Sequence, residues 1–209
     1  MRDALAVGAA TGAYGISFGA VSTTAGLSLL QTLALSALLF SGASQFAFVG
    51  LVASGGGAAA EVATAVLLGT RNAFYGLRLA PILRVRGGRR LAAAQVTIDE
   101  TTAMALAQAD PPTARLAFWA TGASVYGLWN LGTFVGALGA RGIDPKAFGL
   151  DAAVPAAFVA LLAPRMRGRE AWTVALAASV VAIASTPFLP AGVPVLLAAA
   201  VALAVGIRR

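Results

Sequence analysis

Residues 4–60 read ALAVGAATGAYGISFGAVSTTAGLSLLQTLALSALLFSGASQFAFVGLVASGGGAAA and contain no Lys, Arg, Asp or Glu. Crossing a bilayer takes ~20 residues, at ~1.5 Å rise per residue against a ~30 Å hydrocarbon core, so this run holds about two crossings and a turn. The chain therefore reads as an integral membrane protein. Within the run sits Ser41-Gly42-Ala43-Ser44-Gln45-Phe46, a cluster of small and amide-bearing residues. No water is available to it there, so it has to face a neighbouring helix, a cavity or a bound molecule.

The rest of the composition agrees. The chain is 59% hydrophobic and 11% charged, with mean hydropathy +0.83, against about a quarter charged residues in soluble domains. Its 209 residues give room for six to eight helices of ~20 residues in a single domain, 1–209. The net charge of +7 comes from 15 Lys and Arg, among which only Lys146 is lysine. In a membrane protein such charge sets orientation first, and no nucleic-acid partner is expected. There is no Cys and no His, which removes thiolate and imidazole metal sites, disulfides and a histidine base. No metal or cofactor is expected, and proton chemistry falls to carboxylates or Tyr. The first apolar helix follows Met1-Arg2-Asp3 without a cleavage-like segment before the next crossing, and is read as retained.

Charges and Gly/Pro clusters punctuate the chain into candidate helices at 4–22, 29–53, 58–83, 92–109, 113–139, 151–166, 170–188 and 191–207. The fold class is all-α, a polytopic helical membrane protein. Basic residues gather at Arg84 to Arg90, at Arg165 to Arg169 and at Arg208-Arg209, which the positive-inside rule places in the cytoplasm. An even number of crossings then separates the first two clusters, which makes 92–109 re-entrant or interfacial. If the first three candidates each cross once, the N-terminus is outside. A faint echo links the halves: Gly19-Ala20 and Gly26-Leu27-Ser28 ahead of Phe46, beside Gly136-Ala137 and Gly142-Ile143-Asp144 ahead of Phe158. It suggests inverted repeats with broken helices, an arrangement that places a site at mid-membrane.

Several residues stand out against this apolar background. Arg71 lies near the middle of the third segment, where a lone guanidinium costs at least ~2.5 kcal/mol and needs a partner or a wet cavity. Asn72, Tyr75 and Arg78 fall on adjacent parts of the same helix, with Arg78 placed to snorkel to headgroups. Asp99-Glu100 is the only adjacent acidic pair. Two such carboxylates raise one another's proton affinity in a dry site, which suits coupling of a proton. They also offer the obvious charge partner for Arg71. Gln45 brings two donors and an acceptor, and Gly42 permits local unwinding; a zwitterionic amino acid suits helix ends that present amides to its carboxylate and carbonyls to its ammonium. Phe46, Phe48 and Phe158 are candidates for an apolar side-chain pocket. Trp129-Asn130 with Gly132, Gly136 and Gly139 reads as close helix packing. Asp151, ahead of Pro155, reads as a helix cap, and Glu61 as interfacial.

Taken in order, Gly42-Ala43-Ser44-Gln45-Phe46, Arg71-x-x-x-Tyr75-Gly76, Asp99-Glu100, Trp129 with its trailing glycines, and Gly149-Leu150-Asp151 with Pro155-Ala156-Ala157-Phe158 make the chain resemble the AzlC family. That family comprises the large subunits of bacterial branched-chain amino-acid exporters, and the resemblance covers about residues 8–165. It implies a secondary transporter of the bacterial cytoplasmic membrane that is not an enzyme, with a small AzlD-type membrane subunit as partner. Export of branched-chain amino acids would be driven by the proton gradient or membrane potential. The chain departs from the family where Asn-Leu-Arg-His is common, reading Gly69-Thr70-Arg71-Asn72 instead. Without that His, coupling falls to Asp99 and Glu100. The substrate-site candidates are Gly42, Ser44, Gln45, Phe46, Arg71, Asn72, Tyr75, Trp129 and Phe158. Two other readings remain: an intramembrane aspartyl-type enzyme using Asp99 and Asp151, and a structural subunit of a membrane complex.

Overall fold

The computed structural model describes residues 1–140, 159, 163, 166–190 and 192–207. Among these residues the fold is all-helical, with α1 Arg2–Thr24, α2 Leu29–Leu38, α3 Gly42–Ala53, α4 Ala58–Leu83, α5 Gly88–Gln95, α6 Asp99–Leu106, α7 Pro111–Gly139, α8 Arg169–Ser185 and α9 Val193–Ile207. Among the described residues only α1 is both long and apolar enough, by length and composition, to cross a membrane. The longer α4 and α7 carry arginines or many Gly, Ser, Thr and aromatic residues that dilute their hydropathy. The candidate helix 151–166, with Asp151, Pro155 and Phe158, falls almost wholly outside the described residues.

Two of the expected helices are each broken in two. The candidate 29–53 stops at Leu38 and resumes at Gly42. The break therefore precedes Gly42, and Gly42 to Phe46 are themselves helical. The candidate 92–109 begins earlier, at Gly88, and is interrupted at Val96-Thr97-Ile98, three β-branched residues that give up rotamer freedom in a helix. The Thr97 hydroxyl donates back to the Ala93 carbonyl at 2.7 Å, and the Ile98 amide donates to Thr101 Oγ1 at 3.0 Å.

The backbone core is the contact of α1 with α7. Gly8, Gly12, Gly15 and Gly19 recur every three or four residues along α1 and so share one face. A Cβ on Gly19 would overlap the Thr133 carbonyl oxygen, and one on Gly132 or Gly136 would overlap the carbonyl of Gly12 or Ile16. Backbone meets backbone there, as small residues allow. Gly8 faces Ser124, Gly12 faces Leu128, Gly15 faces Trp129 and Gly19 faces Thr133, so the two helices run parallel.

Each broken segment doubles back. The hydroxyls of Ser22 and Thr32 bond at 2.9 Å and Ser36 donates to Thr133 at 3.1 Å, while Tyr126 reaches the Ala37 carbonyl at 3.3 Å. Thus α2 descends alongside α1 and α7 from the end where Thr24 lies. Then α3 climbs back, for Phe46 packs on Phe18 and Trp129, and Val52 shares a surface hollow with Gly26, Leu27 and Glu61. From the opposite end, α5 and α6 form a second such hairpin. Ala93 and Ala105 both pack with Leu79, Leu83 and Phe118 in one apolar cluster. The unit α1–α2–α3 is therefore repeated upside down by α4–α5–α6.

Two expectations change accordingly. The inverted relation holds between residues 2–53 and 58–106; of the echo, Gly19 and Gly136 lie in the contact of the parallel α1 and α7, and Gly142 to Asp144 and Phe158 fall outside the described residues. Because 29–53 returns to the end it entered, Met1 and the Arg84 to Arg90 cluster lie at the same end of the bundle, not at opposite ends. The segment 92–109, expected to be re-entrant or interfacial, forms with Gly88 to Leu91 a hairpin that returns to the end of the bundle it entered from.

At the far edge, α8 buries no residue and packs on α9. Asp110 caps α7 by accepting the Thr113 amide at 3.0 Å, ahead of Pro111 and Pro112.

Gly19→Leu or Gly136→Leu is expected to stop α1 seating on α7, at a cost of ~3 kcal/mol or more, read as loss of a monodisperse, heat-stable protein in detergent. Gly139→Ala, where nothing lies within 4 Å, should melt with the parent. The Thr113 bonds hold the Asp110 carboxyl below the usual carboxylate range. Its support of α7 is complete above the ordinary carboxyl range and is lost as pH falls through the depressed value. Asp110→Asn is expected to flatten that acid limb of the melting profile.

Candidate functional site

A helix that stops inside a bundle leaves its last four carbonyls without partners. In α2 the Leu39 amide keeps the Leu35 carbonyl, so the open ones within the helix are Ser36, Ala37 and Leu38, and side-chain amides satisfy them. Gln45 Nε2 donates to Leu35 and Ser36, each at 3.2 Å. Gln95 Nε2 donates to Ala37 at 2.8 Å and to Leu38 at 3.3 Å. This trade of ladder bonds for side-chain bonds is why the chain breaks at Leu39 to Ser41, where no Gly or Pro demands it. The amides that open α3 have no side-chain cap, and the Ser44 hydroxyl turns to Ser41 Oγ at 3.2 Å.

The two hairpin tips border one cavity of about 600 Å³. Ser41, Gly42 and Ala43 from the first tip and Ile98, Asp99 and Glu100 from the second lie on its wall, joined by Arg71 from α4 and by Ala10, Thr11 and Tyr14 from α1. Besides Gln45 from α3, the rest of the lining is apolar and aromatic: Phe40, Phe46, Ala103, Val125 and Trp129. Phe18 braces that wall from behind, stacked on Trp129 at 5.9 Å and edge-on to Phe46 at 5.5 Å. Gly42 sits where a Cβ would touch the Trp129 ring at 3.5 Å.

Its charges are arranged around the second tip. Arg71 Nη1 meets Asp99 Oδ2 at 3.1 Å, the two side chains being 32% and 26% exposed. Asp99 and Glu100 are the first residues of α6, where the positive end of the helix dipole favours carboxylates. Three polar atoms around the cavity have no hydrogen-bond partner: Gln45 Oε1, Trp129 Nε1 and Arg71 Nε. Gln45 is fully buried and Trp129 is 6% exposed. An unmet acceptor and an unmet donor in an apolar chamber are costly unless a ligand completes them.

Of the residues singled out from the sequence, Gly42, Gln45, Phe46, Arg71, Asp99, Glu100 and Trp129 come together on this wall. Ser44, Asn72 and Tyr75 do not line it, because α3 and α4 turn those positions elsewhere; Ser44 faces Gly69. Phe158 and Asp151 lie outside the described residues. Among the described residues no group of His, Cys, Asp and Glu could hold a metal ion. Gln95 and Tyr126 were missed. Only Gln95 left a signal, as an amide at the end of an alanine-rich turn just before Val96-Thr97-Ile98.

Replacing either Arg71 or Asp99 by Leu leaves a half-buried charge without its partner, and each single variant is expected to melt below the parent. The double variant should recover part of the loss, a coupling of ~1–3 kcal/mol in a thermal double-mutant cycle.

No curated protein and no solved structure matches the chain. The profile of the AzlC protein family matches residues 6–143, more than half of the 209. That stretch contains both hairpins and every residue lining the cavity. This chain belongs to the AzlC family, whose role is transport-related.

Proposed function

We propose that this protein is the large subunit of a secondary transporter that exports branched-chain amino acids across the bacterial cytoplasmic membrane. The observation that carries the reading is the meeting of two helix N-termini, an ion pair and an aromatic wall around one cavity. Its size falls in the ~300–1,000 Å³ range of small-ligand sites. The uncapped amides of Gly42 and Ala43 suit an α-carboxylate. Glu100, Asp99 and the open Gln45 Oε1 suit an ammonium, and Phe46, Ile98, Val125 and Trp129 suit an aliphatic side chain.

In the bilayer, α1, α4 and α7 cross while the α2–α3 and α5–α6 hairpins re-enter from opposite sides. The positive-inside rule puts the end bearing Arg84, Arg86, Arg89 and Arg90 in the cytoplasm, together with the N-terminus. Asp99 and Glu100 couple movement to the proton gradient or membrane potential. Tyr14 and Ala103, at the lateral rim of the cavity, are exposed. Lipid cannot solvate the charges behind them, so a protein cover is required there, the place of a small AzlD-type membrane subunit. An aspartyl-type enzyme has less support, because Asp99 is ion-paired with Arg71.

The test is efflux of labelled isoleucine from loaded bacteria lacking their own exporter, with this chain expressed alone and beside the small subunit. Efflux is expected to need both chains and to collapse with an uncoupler. Gln45→Ala and Asp99→Asn, shown to be in the membrane, should each reduce it about tenfold or more, a ~1.4 kcal/mol loss of site interaction. Parental efflux from both variants would overturn the site, and no efflux from the paired parent chains would overturn the branched-chain assignment.

A further inference from the structure

The last turn of α2 and the link that follows it have two sides. On one, Phe40 of the link faces the cavity beside Gln45 of α3. On the other, Leu35, Leu38 and Leu39 face a second hollow of about 540 Å³, bounded by Gly26, Phe48 and Glu61 and opening at the end of the bundle opposite the arginine cluster. The α2 turn with its link is therefore the partition between the two spaces. Its hold is unusual, because few of the bonds on its terminal carbonyls come from its own helix. Gln45 reaches across from α3 and Gln95 from the opposing hairpin, with the Tyr126 hydroxyl adding a third contact to Ala37. Gln95 is the last residue of α5, so its amide ties the tip of one re-entrant hairpin to the tip of the other.

We infer that Gln95 is a positioning residue of the transport path, clamping the α2 turn shut between the cavity and the second hollow. It touches neither space and acts through α2. Both of its bonds are donations, so the role calls for N–H groups on the Ala37 and Leu38 carbonyls. Glu at position 95 has the shape without the donors and sets a carboxylate against two carbonyl oxygens. Lys restores donors on a longer arm. Gln45, by contrast, holds the turn with its nitrogen while its buried oxygen has no hydrogen-bond partner.

The functional meaning of the clamp rests on the transport reading, but its existence can be measured separately. The native chain has no cysteine, so Ala43→Cys on the cavity wall is a single reporter for a membrane-impermeant cationic thiosulfonate applied from outside intact cells co-expressing the small subunit. Labelling is expected to be slow in the Gln95 parent, roughly tenfold faster with Gln95→Glu, as for loss of two amide bonds, and near the parent with Gln95→Lys. Equal rates in Gln95→Glu and the parent would overturn the clamp. If Gln95→Glu does not accumulate in the membrane, Tyr126→Phe serves in its place; a rise of about two- to threefold supports the clamp and no rise overturns it. Faster labelling without isoleucine efflux from any variant would keep the clamp and sink the transport reading. Normal efflux with unmoved labelling would do the reverse.

Discussion

Four helix ends lie inside this bundle, and backbone groups at such depth have to be satisfied by protein. The architecture follows from how that debt is met. At the C-terminus of α2 two glutamine amides stand in for the missing turn. At the start of α6, Thr101 receives the Ile98 amide and returns a bond to a nearby carbonyl. At the start of α3 no side chain steps in, and that end faces the cavity. The starts of α3 and α6 both border the cavity with no side chain on their first amides, so both are available to a ligand.

The electrostatics are equally local. Arg71 and Asp99 neutralise each other across the cavity wall, and α6 offers its positive end to Asp99 and Glu100. Glu100 adds a second carboxylate to the wall. A zwitterion brings no net charge to such a chamber, so only the distribution of charge has to match. The aromatic layer of Phe18, Phe46 and Trp129 keeps the chamber's dielectric low, which strengthens each of these interactions.

Much of this was legible in the sequence, and the exceptions have physical causes. The uncharged run announced the helices, and Arg71 announced its own partner, because an arginine at that depth needs an acid and Asp99-Glu100 was the only adjacent pair. The hairpins were harder to see. Two arms of ten and twelve residues with a short link occupy about the length of one crossing, so 29–53 looked like a single helix. Its break carries no Gly or Pro because side chains distant in the chain pay for it, and Gln95 is one of them. Asn72 and Tyr75 were grouped with Arg71 by sequence proximity, yet Asn72 points about 100° away from Arg71 and Tyr75 lies a full turn further along the helix, and only Arg71 reaches the cavity.

The glycine contact of α1 with α7 also bears on the order in which the molecule is made. Gly8 and its partner Ser124 are separated by more than a hundred residues, which takes the ribosome on the order of 5–20 s to add. During that interval α1 waits with its glycine face unmatched while both hairpins and α4 emerge. The two inverted units are in place before the frame that holds them closes, and the arrival of α7 converts a loose collection of helices into a fixed spine.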